Sequence, residues 1–174
     1  MKWFVRIVGA LLFVLVALPF GLFLALTFET SQRTPERIPM TVEIGPSSIA
    51  LERLQAHIFL AEYRRTLVVL RGGEEIGRAG LPMDTGGTAH MNVYRTGEQT
   101  LRLVDRLTVY TVNLMDGSVR GTSRTGSGGG SSLTERQGDF IGAFDAIGEG
   151  GERVFRFIPS GERPELRIRH ARVG

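Results

Sequence analysis

The chain has 174 residues, no cysteine, a mean hydropathy of +0.02 and a formal net charge of +3. The missing cysteines exclude disulfide staples and thiolate zinc sites. The high pI of about 9.9 is no argument for nucleic acid, because Lys2 and Arg6 sit in or before an apolar N-terminal run and the rest is close to neutral.

That run, Trp3 to Phe28, is interrupted only by Arg6, Gly9, Pro19, Gly21 and Thr27. A hydrocarbon core about 30 Å thick is crossed by about 20 helical residues, so the length predicts a single transmembrane helix. Signal-peptide apolar regions are shorter, about 7–15 residues, and end at a small-residue cleavage site. The best candidate here, Ala25-Leu26-Thr27, matches poorly, so residues 1–28 read as an uncleaved signal-anchor. With two residues ahead of the span, a cytoplasmic N-terminus is expected, and the remaining chain belongs in the periplasm or outside the cell. Residues 29–37, polar with Pro35, read as a stalk, and residues 38–174 as one extracytoplasmic domain of a bacterial envelope protein.

Met40 to Ile44 alternates like a first strand and stops at Gly45-Pro46. Leu51, Leu54 and Ile58 fall at helical spacing, which predicts a short helix over residues 49–57 capped by Ser47 or Ser48, with an extended reading left open by Ile58-Phe59-Leu60. From Thr66 onward the pattern is β. Leu67–Leu70 and Glu74–Ala79 flank Gly72-Gly73, a type I′ or II′ hairpin signal. Leu81 to Thr88, with Pro82 and Gly86-Gly87, reads as a loop. Further strands are expected over 90–95, 100–104, 107–114 and 118–120, joined by turns at Thr96-Gly97-Glu98 and Asp116-Gly117. Residues 122–134 have the composition of a flexible Gly/Ser loop. Strands resume at 139–144 and 154–158, and Leu166-Arg167-Ile168-Arg169 alternates strictly. These elements predict a mainly β domain, an antiparallel sandwich or a partly open barrel.

Four features bear on chemistry. Asp84-Thr85-Gly86 resembles the catalytic loop of aspartic proteases, where two carboxylates share one proton because both cannot ionise at such close range. Phe140-Ile141-Gly142 resembles the apolar-apolar-Gly element that crosses behind that loop. The resemblance covers six residues and implies a homodimeric peptidase with Asp84 catalytic. It departs from the family at Pro82, which interrupts the apolar approach, and at Gly87, where a small Ala or Ser is usual. The competing reading is turn chemistry, with Asp84 bonding its own backbone. His57, His90 and His170 lack metal-ligand spacing, so neither a metal nor a cofactor is expected. The Gly/Ser tract lacks the strand, helix and Gly-Lys-Ser/Thr ending of a phosphate loop. Arg163, Arg167, Arg169 and Arg172 form a basic tail, a candidate site for an anionic envelope component or a protein partner, or else an ordinary solvated strand face. The leading expectation is a membrane-tethered, non-enzymatic binding or assembly module without nucleic-acid partners. A membrane-anchored aspartic peptidase is the alternative.

Overall fold

Alternating apolar residues in short runs, punctuated by glycine turns, produce ten strands among the described residues of the computed structural model. It describes residues 3, 14–21, 34–57, 59–86, 90–106, 108–123, 138–149 and 152–165. The strands are β1 (Glu36–Pro39), β2 (Ser47–Gln55), β3 (Glu62–Arg71), β4 (Glu74–Thr85), β5 (Met91–Gly97), β6 (Thr100–Val104), β7 (Thr108–Asn113), β8 (Val119–Ser123), β9 (Asp139–Glu149) and β10 (Glu152–Pro159). They form two antiparallel sheets, one ordered β1-β2-β3-β4 and the other β10-β9-β5-β6-β7-β8.

One hydrophobic cluster draws on both sheets. Ile49, Leu51, Leu67 and Val69 come from the four-stranded sheet, and Met91, Val93, Leu101, Leu103, Phe144 and Phe157 from the six-stranded one. Phe144 and Phe157 meet edge-on, with ring centroids 5.2 Å apart. A smaller cluster of Tyr94, Val104, Val109 and Phe140 covers the other face of the larger sheet. The sheet margins also meet, β1 beside β10 and β4 beside β8. At the second seam, a Cβ added to Gly77 of β4 would lie 2.0 Å from the carbonyl oxygen of Gly117.

Residues 14–21 form a short helix. Most of the run Trp3–Phe28 lies outside the described residues, and no helix among those described is long and apolar enough to cross a membrane.

Three local expectations are corrected. Residues 47–55 are strand, not helix: β2 is central, paired with β1 and β3, and both of its faces are covered. The first strand is Glu36–Pro39, with Met40 N–H donating to the Ile49 carbonyl at 2.8 Å, so pairing starts inside the expected stalk and residues 41–46 form the turn instead. Residues 81–85 continue β4 rather than looping. Arg64 faces both Pro82 and Met83 in a β-bulge, and Pro82 is tolerated because β4 is an edge strand. The Gly72-Gly73 hairpin is as expected, with φ of 58° and 86° suiting a type I′ turn.

Candidate functional site

Alternation carries charge into the interior. On β2, Ile49 and Leu51 point into the core, so Arg53, two residues further, points the same way. On β3, Val69 and Leu67 are followed in the same register by Arg65 and Tyr63. Arg53 and Arg65 are cross-strand partners, and Asp84 of β4 stands opposite Tyr63. Both arginines and Asp84 are buried, as is Asp105 at the end of β6.

The ion pairs of two arginines organise this layer. Arg65 Nη2 donates to Asp105 Oδ2 at 2.7 Å, linking the two sheets. The same guanidinium donates to the Pro82 carbonyl, from Nε at 3.0 Å and Nη2 at 2.8 Å, so the bulge exposes an acceptor that Arg65 satisfies. Arg53 Nη2 lies 3.9 Å from Asp84 Oδ2 and its Nη1 4.0 Å from Glu36 Oε2. Its guanidinium is held between the rings of Tyr63 and Phe155, 3.9 Å from each centroid. Burial pulls the Arg53 pKa down, opposed by the nearby Tyr63, Glu36 and Asp84. Burial likewise pushes the Tyr110 phenol up. Charges so desolvated need partners, and the layer supplies aromatic faces, carboxylates and a carbonyl, while Arg53 Nε and Arg65 Nη1 are buried without a hydrogen bond.

Asp84 therefore sits near the end of a strand and is buried rather than lying in a loop. Gly142 lies on β9 of the other sheet, where a Cβ would meet the Phe157 ring at 2.4 Å and the Ile158 carbonyl at 2.5 Å. Its smallness answers to packing beside β10.

The outer face of the four-stranded sheet carries a second ionic group. Glu52 accepts from Arg37 Nε at 2.9 Å and from Arg78 Nη1 at 2.5 Å, while Arg78 forks onto Glu75 at 2.7 and 2.8 Å. The Arg78 hydrogen bond, with Arg37 helping, holds the Glu52 carboxyl below its ordinary value. A third group lies on the larger sheet, where buried Asp145 faces His90 at 3.3 Å and pairs with Arg163. Nearby, Arg156 reaches Glu162 at 3.0 Å and Tyr94 donates to Glu165 at 2.8 Å, so residues 162–165 are fastened to the sheet.

Of the basic tail, Arg163 is thus engaged with Asp145, and Arg167, Arg169 and Arg172 lie outside the described residues. The histidines are not gathered: His57 is exposed after β2, His90 faces Asp145, and His170 lies outside the described residues. Among the described residues no group of three potential ligands could hold a metal. Sequence reasoning missed Arg53, Arg65 and Asp105. The available signal was register, since reading residues 47–55 as a strand puts Arg53 on the apolar face. No protein-family model, curated protein or solved structure matches the chain.

Proposed function

We propose that the protein is a membrane-tethered, non-enzymatic β-domain of the cell envelope, built as a two-sheet sandwich that binds or assembles with a partner outside the cytoplasm. The observation that carries the non-enzymatic reading is the setting of Asp84. It is buried beside Arg53, whose positive charge is clamped between Tyr63 and Phe155. A peptidase dyad sets two carboxylates side by side, whereas the charged side chain facing Asp84 here is the Arg53 guanidinium, 3.9 Å away. Asp84 serves here as a counter-charge in the interior.

The tether is supported by the helix at residues 14–21. Its Val14, Leu15, Val16, Leu18 and Phe20 side chains are each more than half exposed, an arrangement costly in water and favourable in lipid. Trp3–Phe28 then spans the bilayer with a cytoplasmic N-terminus. The turns at Gly72-Gly73 and residues 114–118, at the end of the domain away from Glu36, form the rim offered to a partner.

Intact-mass measurement on membrane-extracted protein checks the anchor. A mature species beginning near Phe28 or Glu29 would refute it. Incubating the detergent-solubilised full chain with a mixed peptide library at mildly acidic pH checks the other half. Pepstatin-sensitive cleavage that disappears in Asp84→Asn would replace this reading with the aspartic peptidase.

A further inference from the structure

The apolar side chains left on the surface are unevenly placed. Among the described residues of the β-domain, the exposed large apolar ones are Phe59, Leu60, Met83, Met115 and Val154. Phe59, 79% exposed, and Leu60, 50% exposed, lie in the loop joining β2 to β3. Met83 lies in the bulge near the end of β4, and Val154 lies near the start of β10, next to the Phe155 that stacks on Arg53. These four share the end of the domain marked by Gln55, Tyr63 and Asp84. Met115 stands at the opposite end, where its carbonyl accepts from Arg71. The eight residue steps from Tyr63 to Arg71 put about 26 Å between the two ends.

The chain enters the domain at the same apolar end. Glu36 is the first residue of β1 and pairs with Arg53, two residues before β2 finishes. Seven residues separate Glu36 from Phe28, the last of the apolar run. Fully extended, that stretch spans at most about 29 Å, so the Phe59 end is held within a short leash of the bilayer surface. Exposed Arg64 and Arg106 flank this end, together with Glu36 and Glu62. The mixed charge leaves the apolar tip as the main attraction.

We propose that this end docks on the membrane that carries the anchor, the β2–β3 loop seating Phe59 and Leu60 among the lipid headgroups and upper acyl chains. The proposal rests on the membrane-tethered reading above. Docking fixes the domain upright, with the β7–β8 turn pointing away from the bilayer. Phe59 and Leu60 bring apolar surface to the interface, as apolar residues do in surface-seated proteins.

The test uses the full chain with Trp3→Phe, which removes its one tryptophan. Phe59→Trp or Met115→Trp is added, and each protein is reconstituted into phosphatidylcholine–phosphatidylglycerol vesicles with or without acyl-chain bromination. The expected result is blue-shifted emission from the Phe59→Trp protein, most of it lost in brominated vesicles and unchanged by high salt. The Met115→Trp protein should emit to the red and keep its intensity. Red-shifted, unquenched emission from the Phe59→Trp protein in vesicles that it accompanies through flotation overturns the docking and leaves the anchor standing. Equal quenching at both positions overturns the upright docking as well. Failure of the chain to float with vesicles overturns the anchor and the docking together.

Discussion

Gly77 and Gly117 touch backbone to backbone at the seam between β4 and the β7–β8 turn. A Cβ on Gly77 would lie 2.0 Å from the Gly117 carbonyl oxygen, and one on Gly117 would lie 2.4 Å from the Ile76 carbonyl oxygen. Gly80, three residues along the same strand, has nothing within 4 Å of a built Cβ and no positive φ. Gly77→Ala should cost about 3 kcal/mol or more, at or above the upper end for overpacking, because backbone on both sides has to shift. Gly80→Ala should be neutral or stabilise by up to about 1 kcal/mol through the unfolded chain. Chemical denaturation of the full chain in detergent checks the pair; equal effects would mean that the seam is loose.

The Arg65–Asp105 pair is buried on both sides. Asp105→Ala leaves a guanidinium in the interior without its carboxylate and should cost about 3–5 kcal/mol. Arg37→Ala removes a half-exposed partner of Glu52 and should cost no more than about 1 kcal/mol. Combining Arg65→Met with Asp105→Leu should recover part of the loss. Recovery is incomplete because the Pro82 carbonyl then lacks both of its guanidinium donors. The same denaturation measurement ranks the three.

Acid should weaken the fold partly through Glu52. The Arg78 and Arg37 hydrogen bonds lower its folded pKa from an ordinary 4.5. A depressed carboxyl contributes stability that is full above the unfolded value and is lost as pH falls through the folded one. Glu75 and Asp116 act in the same direction, the first held down by Arg78 and the second by the Ser118 N–H. Denaturation midpoints should stay level toward pH 4.5 and fall below it. In Glu52→Gln the stability should be lower at neutral pH, by about 1–3 kcal/mol, and the acid-side fall of the midpoint shallower. Parallel curves for the two proteins would remove Glu52 from the account.

The connection from β8 to β9 has a minimum length. Ser123 faces Thr108 on β7, and Asp139 faces Arg95 on β5, with β7, β6 and β5 between β8 and β9. Four strand spacings of about 4.8 Å and roughly four residues of rise put the ends about 23 Å apart. Deleting residues 126–131 leaves enough chain to reach about 35 Å and should change the melting temperature little. Deleting residues 125–134 leaves about 20–22 Å of reach and should detach β8 or abolish cooperative melting. Circular dichroism melts of the two deletions decide it.

The meander from β5 to β8 was legible because its turns carry their own chemistry. Asn113 Oδ1 accepts from Met115 N–H at 2.8 Å, and Asp116 Oδ1 from Ser118 N–H at 2.9 Å. The N-terminal sheet was harder to read. Glu52 and Arg53 interrupt the apolar pattern of β2, and their partners Arg37, Arg78, Asp84 and Phe155 lie 15 or more residues away. Local spacing therefore favoured a helix that tertiary pairing overrides. Pro82 suggested a loop because its cost depends on whether the strand is an edge, a property of the assembled sheet. Asp84 stood out as a motif, yet its meaning depends on Arg53, which no short pattern links to it.

The entry of the chain into the domain through β1 also has a mechanical consequence. A pull on the chain ahead of Glu36, as the proposed anchor would exert, runs along β1 away from the domain, parallel to the strand. The four pairs from Glu36–Arg53 to Pro39–Ala50 are then loaded together in shear, rather than peeled one after another. Slippage would have to draw Ile38 and Met40 out of the core in the same motion. The shortest strand of the smaller sheet is thus placed where its few hydrogen bonds resist a pull from the N-terminal side collectively.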